Sequence, residues 1–328
     1  LIARSLSSHS IVTGLIFFGI LGLGSAVIGM PFTIYHTFVI EKKYGFNKTT
    51  VKTFILDRVK VTFLSVLIGA PILAAILWFF ETMGQTAWLW CWGVLSVLQL
   101  VMLWLVPTFI MPLFNKFEPL EEGELKTKIN DYADKEKFKL EGIFKMDGSK
   151  RSTKSNAFFT GIGSKRRVVL FDTLIKNHTV SELVGVLAHE IGHYKRKHIL
   201  KMLIVSTIST GAMFWVLSFF LNNPGLFDAF KMENVSVYAS LIFFAFLYSP
   251  IETILGIFSH LMSRKHEYEA DEFAVTTTKD PQSFIDALKK LSVDNLSNLT
   301  PHPMKVFLEY SHPTVLDRIK AIKAIPSK

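Results

Sequence analysis

Five long apolar runs, each free or nearly free of charged residues, divide the chain. They cover residues 11–40, 61–80, 82–115, 202–221 and 235–262. Each run is long enough to cross a hydrocarbon core of about 30 Å as a helix, for which roughly 20 residues suffice. The pattern therefore predicts five membrane-spanning helices, the last of which contains one carboxylate, Glu252.

The segments between the apolar runs alternate in charge. Segments 41–60 and 116–201 and the region that begins at Arg264 are rich in Lys and Arg, whereas segments 81–86 and 222–234 are poor in basic residues. Basic loops of membrane proteins are retained in the cytoplasm. We therefore expect segment 41–60, the central polar segment and the C-terminus to lie on the cytoplasmic side.

The polar segment 116–200 is typical of a small soluble domain. Residues 142–145 and 168–171 have strand-like composition, and residues 156–160 form a third candidate strand. From Val180 the pattern becomes helical, with Ser181 as the expected cap and Glu182 in the first turn. The final segment, 264–328, predicts amphipathic helices that pack on this domain.

Composition narrows the class of protein further. Half of the 328 residues are hydrophobic and 19% are charged, compared with about 25% charged residues in an ordinary soluble domain. The single cysteine, Cys91, excludes a disulfide framework and an all-thiolate metal site, so any metal must be held by His and carboxylate groups. The net charge of +9 follows from the basic loops, and no nucleic-acid partner is predicted.

The candidate chemistry starts with the run His189-Glu190-Ile191-Gly192-His193 in the predicted helix. Two histidines four residues apart lie on one helical face, so both imidazoles can bind one Zn²⁺, and the adjacent glutamate can activate a water molecule. The alternative is that polar residues share an exposed face, but apolar neighbours make burial of unpaired His and Glu costly. The run therefore predicts a zinc site. His198, beside two lysines, is interpreted as a solvated or interfacial residue.

A catalytic zinc site needs a third protein ligand and an open position. No suitable residue follows His193 nearby, so we expect the third ligand from another helix. Glu267 and Asp271, directly after the fifth span, are four residues apart and share a face. One carboxylate could bind metal while the other accepts a hydrogen bond from a ligand imidazole. Spacing alone equally allows an acidic face neutralised by Arg264 and Lys265.

Together these motifs resemble the type 1 CaaX prenyl proteases, which are integral-membrane zinc endopeptidases. The resemblance also includes Ser311-His312-Pro313 with Arg318 after it, and Ser155-Asn156-Ala157-Phe158-Phe159. It extends over nearly the whole chain. It implies a fold of seven helices around a large intramembrane chamber, with one zinc ion per chain.

The resemblance assigns a role to each matching position around the metal. It implies that His189, His193 and Glu267 are the zinc ligands. It further implies that Glu190 is the general base and that Asp271 is the hydrogen-bond partner of a ligand histidine.

The resemblance also implies how the substrate is held. His312 and Arg318 match positions that face the metal and the developing oxyanion. Asn156, Ala157 and Phe158 match an edge strand that binds the peptide in extended form, by addition of a strand to a sheet.

The chain departs from the family pattern at three places, one of which is Lys154, where relatives often have His. Two N-terminal spans of the family are absent and the chain begins with Leu1, so we expect residues upstream of it. The acidic insertion that eukaryotic members carry before the zinc helix is also absent, which suggests a prokaryotic member. Because most bacteria make no CaaX proteins, a general membrane quality-control protease is the alternative function. A transporter or scaffold with structural zinc is disfavoured by Glu190, since a structural site has four ligands and no base.

The sequence therefore predicts a mainly α, multi-pass helical membrane protein with a zincin-like metalloprotease domain, containing a small β-sheet, at the cytosolic face. The expected regions are three spans in 1–115, the catalytic segment 116–201, a two-span hairpin in 202–263 and a C-terminal segment 264–328. The expected partners are the lipid bilayer and a peptide or prenylated protein substrate. The membrane would be the plasma membrane in a bacterium and the endoplasmic reticulum in a eukaryote.

Overall fold

A computed structural model describes residues 2–161, 166–221 and 223–326. Its first helices are α1 (Ile2–Leu6), α2 (Ser10–Tyr35), α3 (Val51–Thr82), α4 (Ala87–Leu105) and α5 (Glu124–Lys135). The next are α6 (Asp172–Asn177), α7 (Val180–Lys195), α8 (His198–Phe220), α9 (Pro224–Ala229) and α10 (Val237–Thr278). The last are α11 (Pro281–Asp294), α12 (Pro303–Glu309) and α13 (Val315–Lys323). The strands are β1 (Phe117–Pro119), β2 (Gly142–Met146), β3 (Ala157–Thr160) and β4 (Arg167–Phe171).

Five helical stretches in the described part of the chain are long and apolar enough to cross a membrane. They are Ser10–Glu41, Val51–Thr82, Gly84–Leu113, His198–Phe220 and Val237–Thr278. The first and third continue α2 and α4 through π-helical turns, His36–Glu41 and Val106–Ile110. The five predicted spans are thus confirmed in number by the length and composition of the helices.

Two of these helices exceed the apolar runs that predicted them by more than about ten residues. The second begins at Val51, because Thr50 caps it by accepting a hydrogen bond from the Thr53 backbone N–H. The fifth, α10, continues to Thr278, so the charged residues that follow the apolar run are also helical. The predicted loop 222–234 begins at Asn222, which lies outside the described residues, and its remainder contains α9.

The sheet is small and mixed. Its strand order is β1-β2-β4-β3, with β2 and β4 parallel and the two outer pairings antiparallel. The three predicted strands are confirmed. β1 was not predicted, because a three-residue strand ending in Pro119 carries no periodic signal of its own. Strand β3 lies at one end of the strand order and pairs with β4 alone among the described strands.

The chain forms two compact units. One comprises Leu1–Tyr44, Thr49–Val101 and Leu203–Glu252, and the other comprises Gly45–Lys48, Met102–Met202 and Thr253–Lys328. The first unit has an aromatic-rich core that includes Phe80, Phe214 and Phe227. The core of the second unit joins α5, the sheet, α7, α11 and α13 through residues such as Leu170, Leu187 and Phe284. This second core fixes the helix that carries the H-E-x-x-H run.

Candidate metal centre and active site

Helix α7 begins with a capping box. The Thr179 hydroxyl accepts a hydrogen bond from the Glu182 backbone N–H, and the Glu182 carboxylate accepts one from the Thr179 N–H at 2.9 Å. The prediction of Ser181 as the cap was wrong, since Ser181 lies inside the first turn. Thr179 with Glu182 three residues later is the capping-box pattern that could have identified the true boundary. From this start, α7 places His189 and His193 one turn apart.

His189 and His193 of α7 meet Glu267 of α10. The Nε2 atoms of the two histidines are 3.0 Å apart. The carboxylate of Glu267 lies 3.5 Å from His189 Nε2 and 3.3 Å from His193 Nε2. One potential metal-ligand atom from each residue lies within 4.8 Å of those of the other two residues. This His₂Glu set fits Zn²⁺, which binds imidazole nitrogen and carboxylate oxygen and in catalytic sites takes three protein ligands.

A close approach between α7 and α10 brings Glu267 to the histidines. A Cβ atom at Gly192 would lie 3.1 Å from the Ala270 backbone and 3.1 Å from the Phe273 Cβ. These distances are shorter than ordinary contacts, so a side chain at this position would push the helices apart. Gly192 therefore lets the two helices pack closely beside the cluster.

Asp271, one turn beyond Glu267, faces the opposite nitrogen of His189. Its Oδ1 lies 2.8 Å from His189 Nδ1, so the imidazole can donate there while Nε2 stays free for a metal. Burial and the Arg318 charge oppose protonation of His189, but hydrogen bonds to Asp271 and Glu267 outweigh them and raise its pKa to about 9. Glu267 thus faces the Nε2 side of His189 and Asp271 faces its Nδ1 side, a difference that sequence spacing alone does not contain.

Arg318 of α13 completes this arrangement. Its Nε and Nη2 atoms donate to the two Asp271 oxygens at 2.8 and 2.6 Å, and its Nη1 lies 3.4 Å from Glu267. Burial opposes the charge of Arg318, but the attraction of Asp271 and Glu267 raises its pKa above the usual value. The guanidinium therefore remains charged within the cluster.

Glu190 and His312 lie beside the cluster and line the same cleft. Burial is the main cause that raises the pKa of Glu190, and the charges of His189 and His193 act against it. The His312 side chain is 64% exposed and its Nε2 lies 3.4 Å from Glu267. The structure thus brings both residues to the cleft, one held within the protein and one at its open side.

His198 was predicted to be solvated or interfacial, and this prediction was wrong. Its side chain is 3% exposed, and its ring stacks on the ring of His266 at 4.0 Å. Its Nδ1 lies 3.0 Å from His193 Nδ1, and its Nε2 lies 2.9 Å from Glu269. The lysine neighbours in the sequence suggested solvent, whereas the packing of α10 on the start of α8 buries the ring.

The cleft beside the cluster has a volume of about 870 Å³. One group of lining residues is apolar: Leu174, Val186, Phe284, Leu288 and Leu291. Asn156 and Ala157, at the start of β3, line another part. The Phe158 ring packs against Phe171, with ring centres 6.3 Å apart.

The backbone of β3 offers hydrogen bonds along one side. The Phe171 N–H donates to the Asn156 carbonyl at 3.1 Å, so in this register Phe158 also directs its backbone polar groups toward β4. The backbone groups of Ala157 and Phe159 then face away from β4. Asn295 meets both backbone groups of the residue upstream, Ser155, at 3.3 and 3.4 Å. Asn295 was missed by sequence reasoning because no motif surrounds it.

The comparisons with known proteins agree with this geometry. A family model described as "Peptidase family M48" matches residues 119–326. The chain belongs to peptidase family M48. A second model, "CAAX prenyl protease N-terminal, five membrane helices", matches residues 1–116. The family resemblance and the prediction of a membrane metalloendopeptidase are thereby confirmed.

Similar proteins occur among CAAX prenyl proteases of eukaryotes. CAAX prenyl protease 1 of Saccharomyces cerevisiae is 37% identical, over 97% of this chain and 74% of that protein. The homolog from Homo sapiens is 31% identical, over 97% of this chain and 75% of that protein. The crystal structure of Ste24p from S. mikatae is similar with a TM-score of 0.91 and 37% identity, over 96% of this chain and 76% of that chain. The mainly α membrane fold with a small sheet is thus also confirmed for this M48 member.

Proposed function

We propose that this M48 member is a zinc endopeptidase that removes a C-terminal peptide from a prenylated protein. The observation that carries the proposal is the meeting of His189, His193 and Glu267 in the cleft that also contains Glu190. A His₂Glu set leaves a position for water or substrate, as catalytic zinc sites require. A structural zinc site would need a fourth protein ligand, and the described cluster comprises three such residues.

The chain's own residues supply the proton transfers. A zinc ion bound by these ligands would polarise the scissile carbonyl and lower the pKa of water. Glu190 then accepts a proton from the attacking water and returns it to the leaving amine. Its burial favours the protonated form that this second step requires. Hydrolysis by this route forms no covalent bond between enzyme and substrate.

His312 and Arg318 are proposed to stabilise the oxyanion that develops on the scissile carbonyl. Both have a side-chain nitrogen 3.4 Å from Glu267, on residues that line the cleft. Arg318 carries a fixed positive charge, and its Nη1 is the guanidinium nitrogen that does not bind Asp271. Fixed donors that face a developing negative charge lower the barrier without reorganisation.

The edge of β3 is proposed to hold the substrate in extended form. Asn156 and Ala157 line the cleft, and the Ala157 carbonyl and the outward backbone groups of Phe159 can pair with an added peptide strand. The Ala157 N–H already donates to the Asn156 side-chain oxygen at 2.9 Å. The Asn295 side chain already forms hydrogen bonds with the backbone N–H and carbonyl of Ser155, so the added strand would end at that residue. Phe158 would help to fix the position of the β3 backbone, because its ring packs on Phe171.

The prenylated substrate class is inferred from the relatives, which are named CAAX prenyl protease. A lipid-modified peptide would reach a membrane protease from the bilayer, since a prenyl group partitions into lipid. The basic segments 41–60 and 116–201 favour an active site that faces the cytoplasm. In a eukaryote the membrane would be that of the endoplasmic reticulum.

The test is mass analysis of products formed by the purified, zinc-loaded chain from matched peptides with and without a prenyl group. Release of a C-terminal tripeptide from the prenylated peptide alone, absent in Glu190→Gln, is the expected result. Equal cleavage of unprenylated peptides and of unfolded membrane proteins would instead favour a general quality-control protease. No hydrolysis of any peptide by the zinc-loaded chain would refute the proposed activity.

A further inference from the structure

The residues around His193 form a continuous hydrogen-bonded chain from the zinc-ligand side to a charged carboxylate. His193 Nδ1 lies 3.0 Å from His198 Nδ1, and His198 Nε2 lies 2.9 Å from Glu269 Oε2. The opposite nitrogen of His193, Nε2, faces His189 and Glu267. Each nitrogen of the two rings therefore has a defined neighbour.

The proton positions along this chain follow from the metal site. A metal ligand needs a free lone pair, so a neutral His193 that binds through Nε2 carries its proton on Nδ1. That proton can be donated to His198 only if His198 Nδ1 is the acceptor. His198 then carries its proton on Nε2 and donates it to Glu269. One set of tautomers satisfies both hydrogen bonds and leaves His193 Nε2 open to metal.

The local fold directs His198 toward His193. Helix α7 ends at Lys195 and α8 begins at His198, with Lys197 between them in the left-handed region at φ 58°. After this short turn, the first residue of α8 contacts His193 in the last turn of α7. The ring of His266 from α10 lies parallel to that of His198, 4.0 Å away, and limits its rotation.

Two cations lie near the carboxylate of Glu269. Lys201 Nζ lies 4.0 Å and Lys265 Nζ lies 3.9 Å from its carboxylate oxygens. The Glu269 side chain is 25% exposed, whereas His198 is 3% exposed. The chain of hydrogen bonds thus runs from the buried cluster to a carboxylate that solvent and two lysines stabilise.

We propose that His198 and Glu269 form a positioning pair that orients His193 for zinc binding. They would do for His193 what Asp271 does for His189, with one imidazole inserted between the ligand and its carboxylate. Hydrogen-bond partners behind a ligand imidazole fix its tautomer and ring orientation, and their loss typically costs about 10- to 100-fold in metal affinity. The inference rests on the proposed zinc site.

The experiment measures zinc affinity of the full-length chain in detergent, by competition with a chelating dye and without a peptidase assay. His198→Leu removes the acceptor at similar side-chain size, and a loss of roughly 10- to 100-fold in affinity is expected. His198→Asn places an amide oxygen close to the Nδ1 position and should restore most of the affinity. His178→Leu is the matched control, because His178 is also buried in this unit and bonds the Leu174 carbonyl.

A second arm separates positioning from folding. Glu269→Ala should weaken zinc binding less than His198→Leu, and the double variant should bind no more weakly than His198→Leu alone, because the residues act in series. The visible spectrum of Co²⁺-substituted protein should change in His198→Leu but not in His178→Leu. If His198→Leu fails to fold, the zinc affinities of Glu269→Ala and His198→Asn are compared with that of the wild-type chain instead.

The outcomes distinguish this inference from the proposed function. Wild-type zinc affinity and an unchanged Co²⁺ spectrum in His198→Leu would overturn the positioning role and leave the zinc site intact. Strictly additive losses of zinc affinity in the double variant would also contradict a positioning pair whose two residues act in series. A wild-type chain that bound no zinc would overturn the metal centre and this inference together.

Discussion

Arg318 binds both carboxylate oxygens of Asp271, with Nε 2.8 Å from Oδ2 and Nη2 2.6 Å from Oδ1. The Asp271 side chain is 2% exposed and that of Arg318 is 12% exposed, so the pair is withdrawn from solvent. The same carboxylate faces His189 Nδ1. Asp271 is therefore shared between a candidate metal ligand and a permanent cation.

We expect Arg318→Met to destabilise the second unit strongly. Removal of one partner of a buried ion pair leaves an uncompensated charge and typically costs about 3–5 kcal/mol. Thermal unfolding of the detergent-solubilised chain measures this loss. Arg196→Met is the matched control, because the Arg196–Glu272 pair is about half exposed on both sides and should contribute little. Equal destabilisation by both variants would contradict the buried-pair argument.

Glu190→Gln should retain zinc while it lowers turnover. Loss of a general base is expected to reduce the rate by at least about two orders of magnitude, because the amide cannot accept the proton. Metal analysis and a peptide assay on the same preparation measure both quantities. Near-normal turnover in the Gln variant would reject the assigned role.

Glu267→Ala and Asp271→Asn should differ in their effect on zinc. Glu267 faces both Nε2 atoms, so its loss should abolish binding, whereas Asp271→Asn should weaken affinity by about 10- to 100-fold, as loss of a partner behind a ligand does. Zinc titration of both variants gives the order. The reverse order would assign Asp271 as the direct ligand.

Thr179→Ala should destabilise the chain through the start of α7. Loss of the Thr cap typically costs about 0.5–2 kcal/mol, because an N–H of the first turn loses its acceptor. Ser181→Ala provides the control two residues away, and it should change the unfolding temperature little. A larger fall in unfolding temperature for Ser181→Ala than for Thr179→Ala would identify Ser181 as the residue that caps α7.

The orientation of the chain is tested by labelling single cysteines in a Cys91→Ser background. The positive-inside rule places residues near 84 and 228 outside and residues near 48 and 280 inside. An impermeant thiol reagent should therefore react with the first pair from outside only and with the second pair from inside only. Accessibility of positions 228 and 280 from the same side would mean that the last span does not cross.

The parts of the site that could be predicted from sequence are those carried by one helix. His189, Glu190 and His193 follow from helical spacing, because a fixed period places them without knowledge of the fold. Spacing identified Glu267 and Asp271 only as a pair, and the family resemblance implied their separate roles. The physical distinction between them is which imidazole nitrogen each carboxylate meets. That requires the packing of α7, α10 and α13, which no local pattern contains.

Other features depended on contacts distant in the chain. His198 lies among lysines in the sequence, and its burial results from α10, about seventy positions later. Strand β1 exists through its pairing with β2. The apolar runs predicted all five candidate spans because length and composition suffice for that purpose. They did not predict that the second helix begins earlier, at the residue after the Thr50 cap, or that α10 continues through the charged residues after the fifth run.

The contact at Gly192 makes the two unspecified positions of the zinc motif unequal. Ile191 is fully buried in the core and can be exchanged for another apolar residue of similar volume. Gly192 faces the α10 backbone, where even a methyl group would require a shift of the helix that carries Glu267. A motif search treats both positions as free, yet in this architecture selection should restrict the second more severely. A larger residue at 192 should therefore be acquired only together with a compensating change in α10.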